Sequence, residues 1–330
     1  MKVLYIALVA SLCLLSCNTT DDAPESQIQD ESTDGFILRT LDISSNDFIL
    51  GDGTSAFEVM VELNDGSNRA LIDEVQMFAR YIDNDNSNGI NSSLDVLIDT
   101  IEPDRFGTSS IGLPTLNYTL SLTEISDALG LTMSELSCAD QFRVRFNVVL
   151  NTGVSYSSDS VNARIISILD SPFEYVMNVV SPIESNAFLG IYAYETITNG
   201  FFGPSFGSSG VVEIKQGSVP TRRSMELRYI LNDLLGAEPS TGFLNYDFTI
   251  ACDFAIFSEN QIAIDNNCIE GSDRPSINGP ILLGPDQSFV MSANADDDSV
   301  FDLYFVEGYN GWDGTCDLLE LVSQIRFTKQ

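Results

Sequence analysis

The sequence predicts an all-β chain of two units. The first is an immunoglobulin-like β-sandwich with a short helical insertion over residues 36–180. The second is a meander β-barrel or flattened β-sandwich over residues 187–330, reached through a joint at 181–186. Three observations predict this. Apolar and polar residues alternate with a period of two in one short segment after another. Gly, Pro, Asn and Asp separate those segments at hairpin spacing. Helical spacing with a cap signal is confined to one place. The 330 residues suffice for about two domains at roughly 150 residues each.

In the first unit, Phe36 to Ile43 is the first strand. Phe57-Glu58-Val59-Met60-Val61-Glu62-Leu63 alternates and stops at the turn Asn64-Asp65-Gly66. Val75 to Ile82, Leu94 to Ile101 and Tyr118 to Leu122 follow. Phe142 to Val148 alternates so that Arg143, Arg145 and Asn147 take the wet face, and Phe173 to Val180 closes the unit. Some seven strands at this spacing suit an immunoglobulin-like sandwich. The helix lies between. Ser121 and Glu124 form a capping-box pattern, and Leu122, Ile125 and Leu129 follow at helical spacing until Gly130. Thr132 and Glu135 repeat the box. A helix docking a partner is one reading; a crossover packed on the sandwich edge is the preferred one.

In the second unit, Phe188 to Tyr192 opens a series. Val211–Lys215, Ser224–Ile230, Leu244–Phe257, Gln261–Asp265, Ile281–Leu283, Ser288–Ala293, Val300–Glu307 and Leu318–Thr328 continue it. Eight or nine sequential short strands suggest a meander that closes on itself. The Gly190-Ile191-Tyr192 opening is faintly lipocalin-like.

Composition bounds the chemistry. Asp and Glu number 48 against 15 Lys and Arg, a formal charge of −33. Such a chain has nothing with which to neutralise a row of phosphates, so no nucleic acid is expected as partner. There is no histidine, which removes the commonest general base, the Ser-His-Asp and Cys-His arrangements, and most zinc sites. A mean hydropathy of +0.07 is too apolar for a disordered acidic chain.

The N-terminus carries an address. Met1 and Lys2 precede an apolar run from Val3 to Leu15, the pattern of a signal peptide. Leu14-Leu15-Ser16-Cys17 resembles the bacterial lipobox, so residues 1–16 are read as a lipoprotein signal and Cys17 as the acylated first residue. Residues 17–35 are polar, lack a hydrophobic period and read as a tether. Asp21 and Asp22 soon after the lipid Cys resemble export signals of surface lipoproteins. Four cysteines remain, Cys138, Cys252, Cys268 and Cys316, in a disulfide-permissive compartment. Cys252 and Cys268 flank the Ser258-Glu259-Asn260 turn and are expected to pair, with Cys316 as competitor.

Candidate sites are few. Asp83, Asp85 and Ser87 offer oxygens at alternate positions, as a calcium loop does, but Asn88 and Leu94 stand where an EF-hand needs Gly and Glu. A polar hairpin tip is the preferred reading there, and no other cofactor is expected. Asp296-Asp297-Asp298 reads as a solvated tip. Tyr309, Trp312 and Asp313 lie in a Gly-rich segment. They form either a ligand-binding platform or, through Trp312, a plug for one end of the barrel. Phe201-Phe202-Gly203-Pro204-Ser205-Phe206-Gly207 is either an exposed docking patch or a satellite core. No carboxylate pair stands out by spacing as glycosidase-like, and no enzymatic activity is expected. A glycoside hydrolase is the distant third reading.

Several fragments together carry a family resemblance. They are Phe78-Ala79-Arg80-Tyr81-Ile82-Asp83-Asn84, Leu97 to Ile101, Gly112-Leu113-Pro114, the helix ending Ala128-Leu129-Gly130-Leu131, Asp140 to Arg145, Ser171 to Tyr175, and a Gly-x-Tyr-led domain ending Arg326-Phe327-Thr328-Lys329. The series resembles the surface lipoproteins of Bacteroidota that accompany SusC/SusD-type uptake systems, and is similar in outline to SusE/SusF-like proteins. The resemblance implies an outward-facing, outer-membrane, non-catalytic binding or scaffolding subunit. Its implied partners are an outer-membrane barrel of the SusC/SusD-type complex and a glycan or other nutrient ligand. Starch-binding modules of that type use paired Trp platforms; this chain has one Trp. An independent surface binder of glycan or other ligand, using the Tyr309/Trp312 loop or the barrel mouth, is the alternative.

Overall fold

The structure, a computed structural model, describes residues 36–64, 71–84, 92–161, 163–230, 242–264, 280–288, 290–309 and 319–330. It is all-β. Among the described residues its sheets fall into two groups, and none draws strands from both sides of residues 181–189.

The first group is a two-sheet sandwich. One sheet runs β1 (Ile37–Ser45), β3 (Ala56–Asn64), β7 (Pro114–Ser121), β6 (Gly107–Thr108). The other runs β2 (Asp47–Ile49), β10 (Glu174–Val180), β8 (Gln141–Leu150), β4 (Ile72–Ile82), β5 (Val96–Ile101), with β9 (Ser155–Tyr156) paired to β8. Alternation does what the sequence predicts. Phe142, Val144, Phe146 and Val148 of β8 point inward and meet Phe57, Tyr118 and Tyr175 in one core. Each such fully buried side chain contributes about 2 kcal/mol.

Helix α1 (Leu122–Leu129) joins β7 to β8. Ser121 Oγ accepts from the Glu124 amide at 3.2 Å, and Glu124 Oε2 accepts from the Ser121 amide at 2.8 Å. Gly130, at φ 72°, ends it in the left-handed region that glycine takes at least cost. Leu122 and Ile125 bury against the sandwich, so α1 is the packed crossover. A second helix, α2 (Ala163–Ile168), precedes β10; its short apolar run gave no helical signal.

The second group is one nine-stranded sheet. Its strands are β11 (Gly190–Thr198), β12 (Ser209–Gln216), β13 (Arg222–Leu227), β14 (Leu244–Ala251), β15 (Phe254–Phe257), β16 (Gln261–Ile264), β17 (Ile281–Pro285), β18 (Val300–Glu307) and β19 (Leu321–Lys329). β15, β14, β13, β12, β11, β19 and β18 follow one another, and Ile256 pairs with Tyr304 in parallel to close a barrel. β17 and β16 extend the sheet beyond β18. Aromatic rings fill the interior: Phe301 and Phe327 stack at 4.8 Å, and Phe206 lies 4.9 Å from Tyr246.

Two strand expectations are corrected. The segment 244–257 is not one strand: it turns at Cys252-Asp253, with Cys252 at φ 56°. Ser288–Ala293 is not a strand among its described residues. The Ser292 and Ala293 amides donate to the Asp253 carbonyl, which spends them on a turn rather than a ladder.

The disulfide expectation is also corrected. Cys252 bonds Cys138, with Cα atoms 5.9 Å apart. Cys268 lies outside the described residues. The bond ties the sandwich to the barrel, and Ser181 Oγ of the joint sits 3.4 Å from the Cys138 sulfur and 3.2 Å from that of Cys252. Beside it, Ala139 and Val180 pack on Ala251 and Ile256. The buried Asp47 of β2 accepts a hydrogen bond from Thr221 across the same seam. Burial raises the Asp47 carboxyl above its ordinary value, against the opposing pull of Thr221 and Arg222.

Candidate functional site: a polar cleft between the two units

The outer face of β8 and β4 is where the sequence concentrates its scarce positive charge. Period-two alternation puts Arg143 and Arg145 on that face, and Arg80 pairs directly opposite Arg143. Glu174 of β10 stands opposite Arg145. The barrel covers this face with Ser258-Glu259-Asn260, the link from β15 to β16. That turn is held from within: Gln261 Nε2 donates to the Asp247 carbonyl at 2.9 Å, and the Ser258 amide donates to the same oxygen at 2.9 Å. Asn260 takes φ 57° at the turn's end, a conformation Asn tolerates better than most residues.

Between these walls lies a cleft of about 660 Å³. Arg143 is its hub. It donates from Nη1 to Glu174 at 2.8 Å and from Nη2 to Glu259 at 2.9 Å. Tyr309 Oη donates to the same Glu259 oxygen at 2.8 Å. Arg80 Nη2 reaches both Glu174 oxygens, at 3.1 and 3.2 Å. Arg145 donates to Asp95 Oδ2 from Nε at 3.2 Å and Nη2 at 2.7 Å, and its guanidinium lies 4.7 Å from the Phe78 ring centroid. Burial works against the Arg143 charge, but Glu259 and Glu174 more than compensate and hold it protonated well above the ordinary arginine value. Burial and the nearby Glu259 raise the Tyr309 hydroxyl, so it stays a neutral donor. A second cleft of about 360 Å³ adjoins the first and shares Glu174, Glu259 and Asn260.

The expected site residues are placed differently. Tyr309 is not a displayed platform. It is 7% exposed, its ring lies against Gly284, where a Cβ would sit 2.2 Å from it, and its hydroxyl bonds Glu259 of the cleft wall. Trp312 and Asp313 lie outside the described residues, as do Cys17, Asp85 and Ser87. Asp83 is nearly buried, beside the Tyr81–Asp140 hydrogen bond. Among the described residues no group of three or more His, Cys, Asp or Glu is placed to hold a metal ion. Asp298 is drawn inward: it accepts from the Phe188 amide at 2.7 Å and pairs with Lys329 at 2.5 Å. Phe206 of the Phe-rich loop is core. That loop is anchored by the fully buried Glu307, which accepts from the Phe201 amide at 2.8 Å and Ser205 Oγ at 2.6 Å.

Sequence reasoning reached Arg143 and Arg145 as wet-face residues but not as a site, because their cover is supplied from 116 residues away. Compared with known proteins, no protein-family model matches the chain and no curated protein matches it.

Proposed function

We propose that this chain is a lipid-anchored protein of the outer-membrane surface, acting as a non-catalytic accessory binding subunit of a SusC/SusD-type uptake or assembly complex. The lipobox at Cys17, the polar tether after it and the spaced likeness to SusE/SusF-like lipoproteins support the address. One observation carries the binding role: a polar, ligand-sized cleft whose walls come from both units and are held in place by a disulfide. Clefts at domain seams are where small ligands are commonly taken. The sandwich is read as immunoglobulin-like, since two facing sheets of mostly antiparallel strands enclose one core. Independent ligand capture is the second reading, favoured because the cleft is formed within the chain.

The test is purification from native membranes. The wild-type chain should fractionate with outer membrane, be reached by protease on intact cells and co-purify with a large integral barrel protein. Cys17→Ala should release it from the detergent phase. A Cys17→Ala protein that partitions like wild type would sink the lipid anchor, and recovery of the chain alone after cross-linking would sink the accessory role.

A further inference from the structure

At the cleft mouth, two arginines face one partly exposed carboxylate, that of Asp95. Asp95 precedes β5 in a stretch without strand pairing. Its side chain is 32% exposed, against 37% for Arg80 and 21% for Arg145. Oδ2 takes both Arg145 bonds, while Oδ1 stands 3.9 Å from Arg80 Nε, too far for a hydrogen bond. Arg80 Nε is buried and has no hydrogen-bond partner among the described residues. Phe78 lies beneath the Arg145 guanidinium and gives it a second contact besides Asp95. A preoriented guanidinium pair with spare donors matches the bidentate geometry of a carboxylate or a phosphate.

We propose that Asp95 is an internal stand-in, and that the cleft takes a small monocarboxylate bearing hydrogen-bond donors at its other end, whose carboxylate displaces that of Asp95 from Arg145 and Arg80. This deepens the reading of the cleft as a binding site and rests on it. The choice of a single carboxylate follows from charge. Glu174 and Glu259 are fixed deeper in the cleft by Arg143, and Asp159 lines it as well. In a chain of formal charge −33, these carboxylates repel a compact multivalent anion such as phosphate. The same carboxylates accept hydrogen bonds, so hydroxyl or ammonium groups on the far end of the ligand find partners.

Binding is measured on the full chain in detergent at low salt, by calorimetry and by the Arg145 Nε–H resonance. The probes are glucuronate, diglycine, acetate, glucose and inorganic phosphate. Glucuronate or diglycine should bind and shift that resonance, the winner distinguishing hydroxyl from ammonium donors. Acetate should bind more weakly, and glucose and phosphate not measurably. Arg145→Gln should weaken binding at least about tenfold. Arg145→Lys, which keeps the charge and loses the fork, should weaken it in the same direction. Asp95→Asn is the diagnostic variant: with the internal competitor removed, affinity should rise severalfold, whereas a merely structural Asp95 would leave it unchanged or lower it. An unchanged or weaker Asp95→Asn affinity, equal binding of glucose or phosphate, or no carboxylate bound by either protein overturns the inference. If carboxylates fail while the chain still co-purifies with a membrane barrel, the ligand class is wrong and the accessory role stands. The converse outcome sinks the accessory role and keeps the cleft chemistry.

Discussion

Arg143 of the sandwich and Glu259 of the barrel form an ion pair at 2.9 Å, and Tyr309 donates to the same Glu259 oxygen. The pair is largely withdrawn from solvent, so each charge depends on its partner more than an exposed pair does. Glu259→Gln should cost roughly 1–3 kcal/mol of stability, because it leaves part of the Arg143 charge uncompensated. A double-mutant cycle with Arg143→Gln should return a coupling well above the few tenths typical of surface pairs. Coupling near zero would mean that the pair does not bind the two units together.

Glu307 should make stability pH-dependent in a defined sense. Burial raises its carboxyl above the ordinary 4.5, with Ser205, the Phe201 amide and Tyr229 pulling the other way. A carboxyl raised in the folded state contributes fully below its unfolded value and loses that contribution as pH climbs through the folded one. Glu307→Gln, which stays neutral and keeps an acceptor for Ser205, should therefore melt above wild type at about pH 8. That advantage should shrink toward about pH 4. A difference that is constant, or that grows on acidification, would contradict this.

Phe206 should behave as core. Its ring packs on Tyr246, Tyr229 and Phe305 inside the barrel. Phe206→Ala should cost roughly 3–5 kcal/mol in chemical denaturation. A cost below about 1 kcal/mol would return the Phe-rich loop to the docking-patch reading.

How much of this was legible depends on distance along the chain. The alternation of β8 and the capping box of α1 are local signals, and both elements formed where their residues predicted. The split at Cys252 was not legible, since a non-glycine at positive φ leaves no compositional mark. The apolar residues of Ser288–Ala293 suggested a strand, but the partner of two of their amides is a turn carbonyl at Asp253. The cleft was half legible: the arginine face was read, its acidic cover was not. Tyr309 was expected on a displayed loop and is buried instead, because its Gly-rich flank said nothing of Gly284 beneath the ring.

The cleft exists only if sandwich and barrel are one body, and the Cys138–Cys252 bond is the covalent part of that union. It closes a separation of 114 residues, and its loss should cost roughly 2–5 kcal/mol. The most direct test is a peptide map of the purified protein without reduction. The predicted result is a linked pair of peptides containing Cys138 and Cys252. A free Cys138 with Cys252 linked to Cys268 or Cys316 would contradict the account.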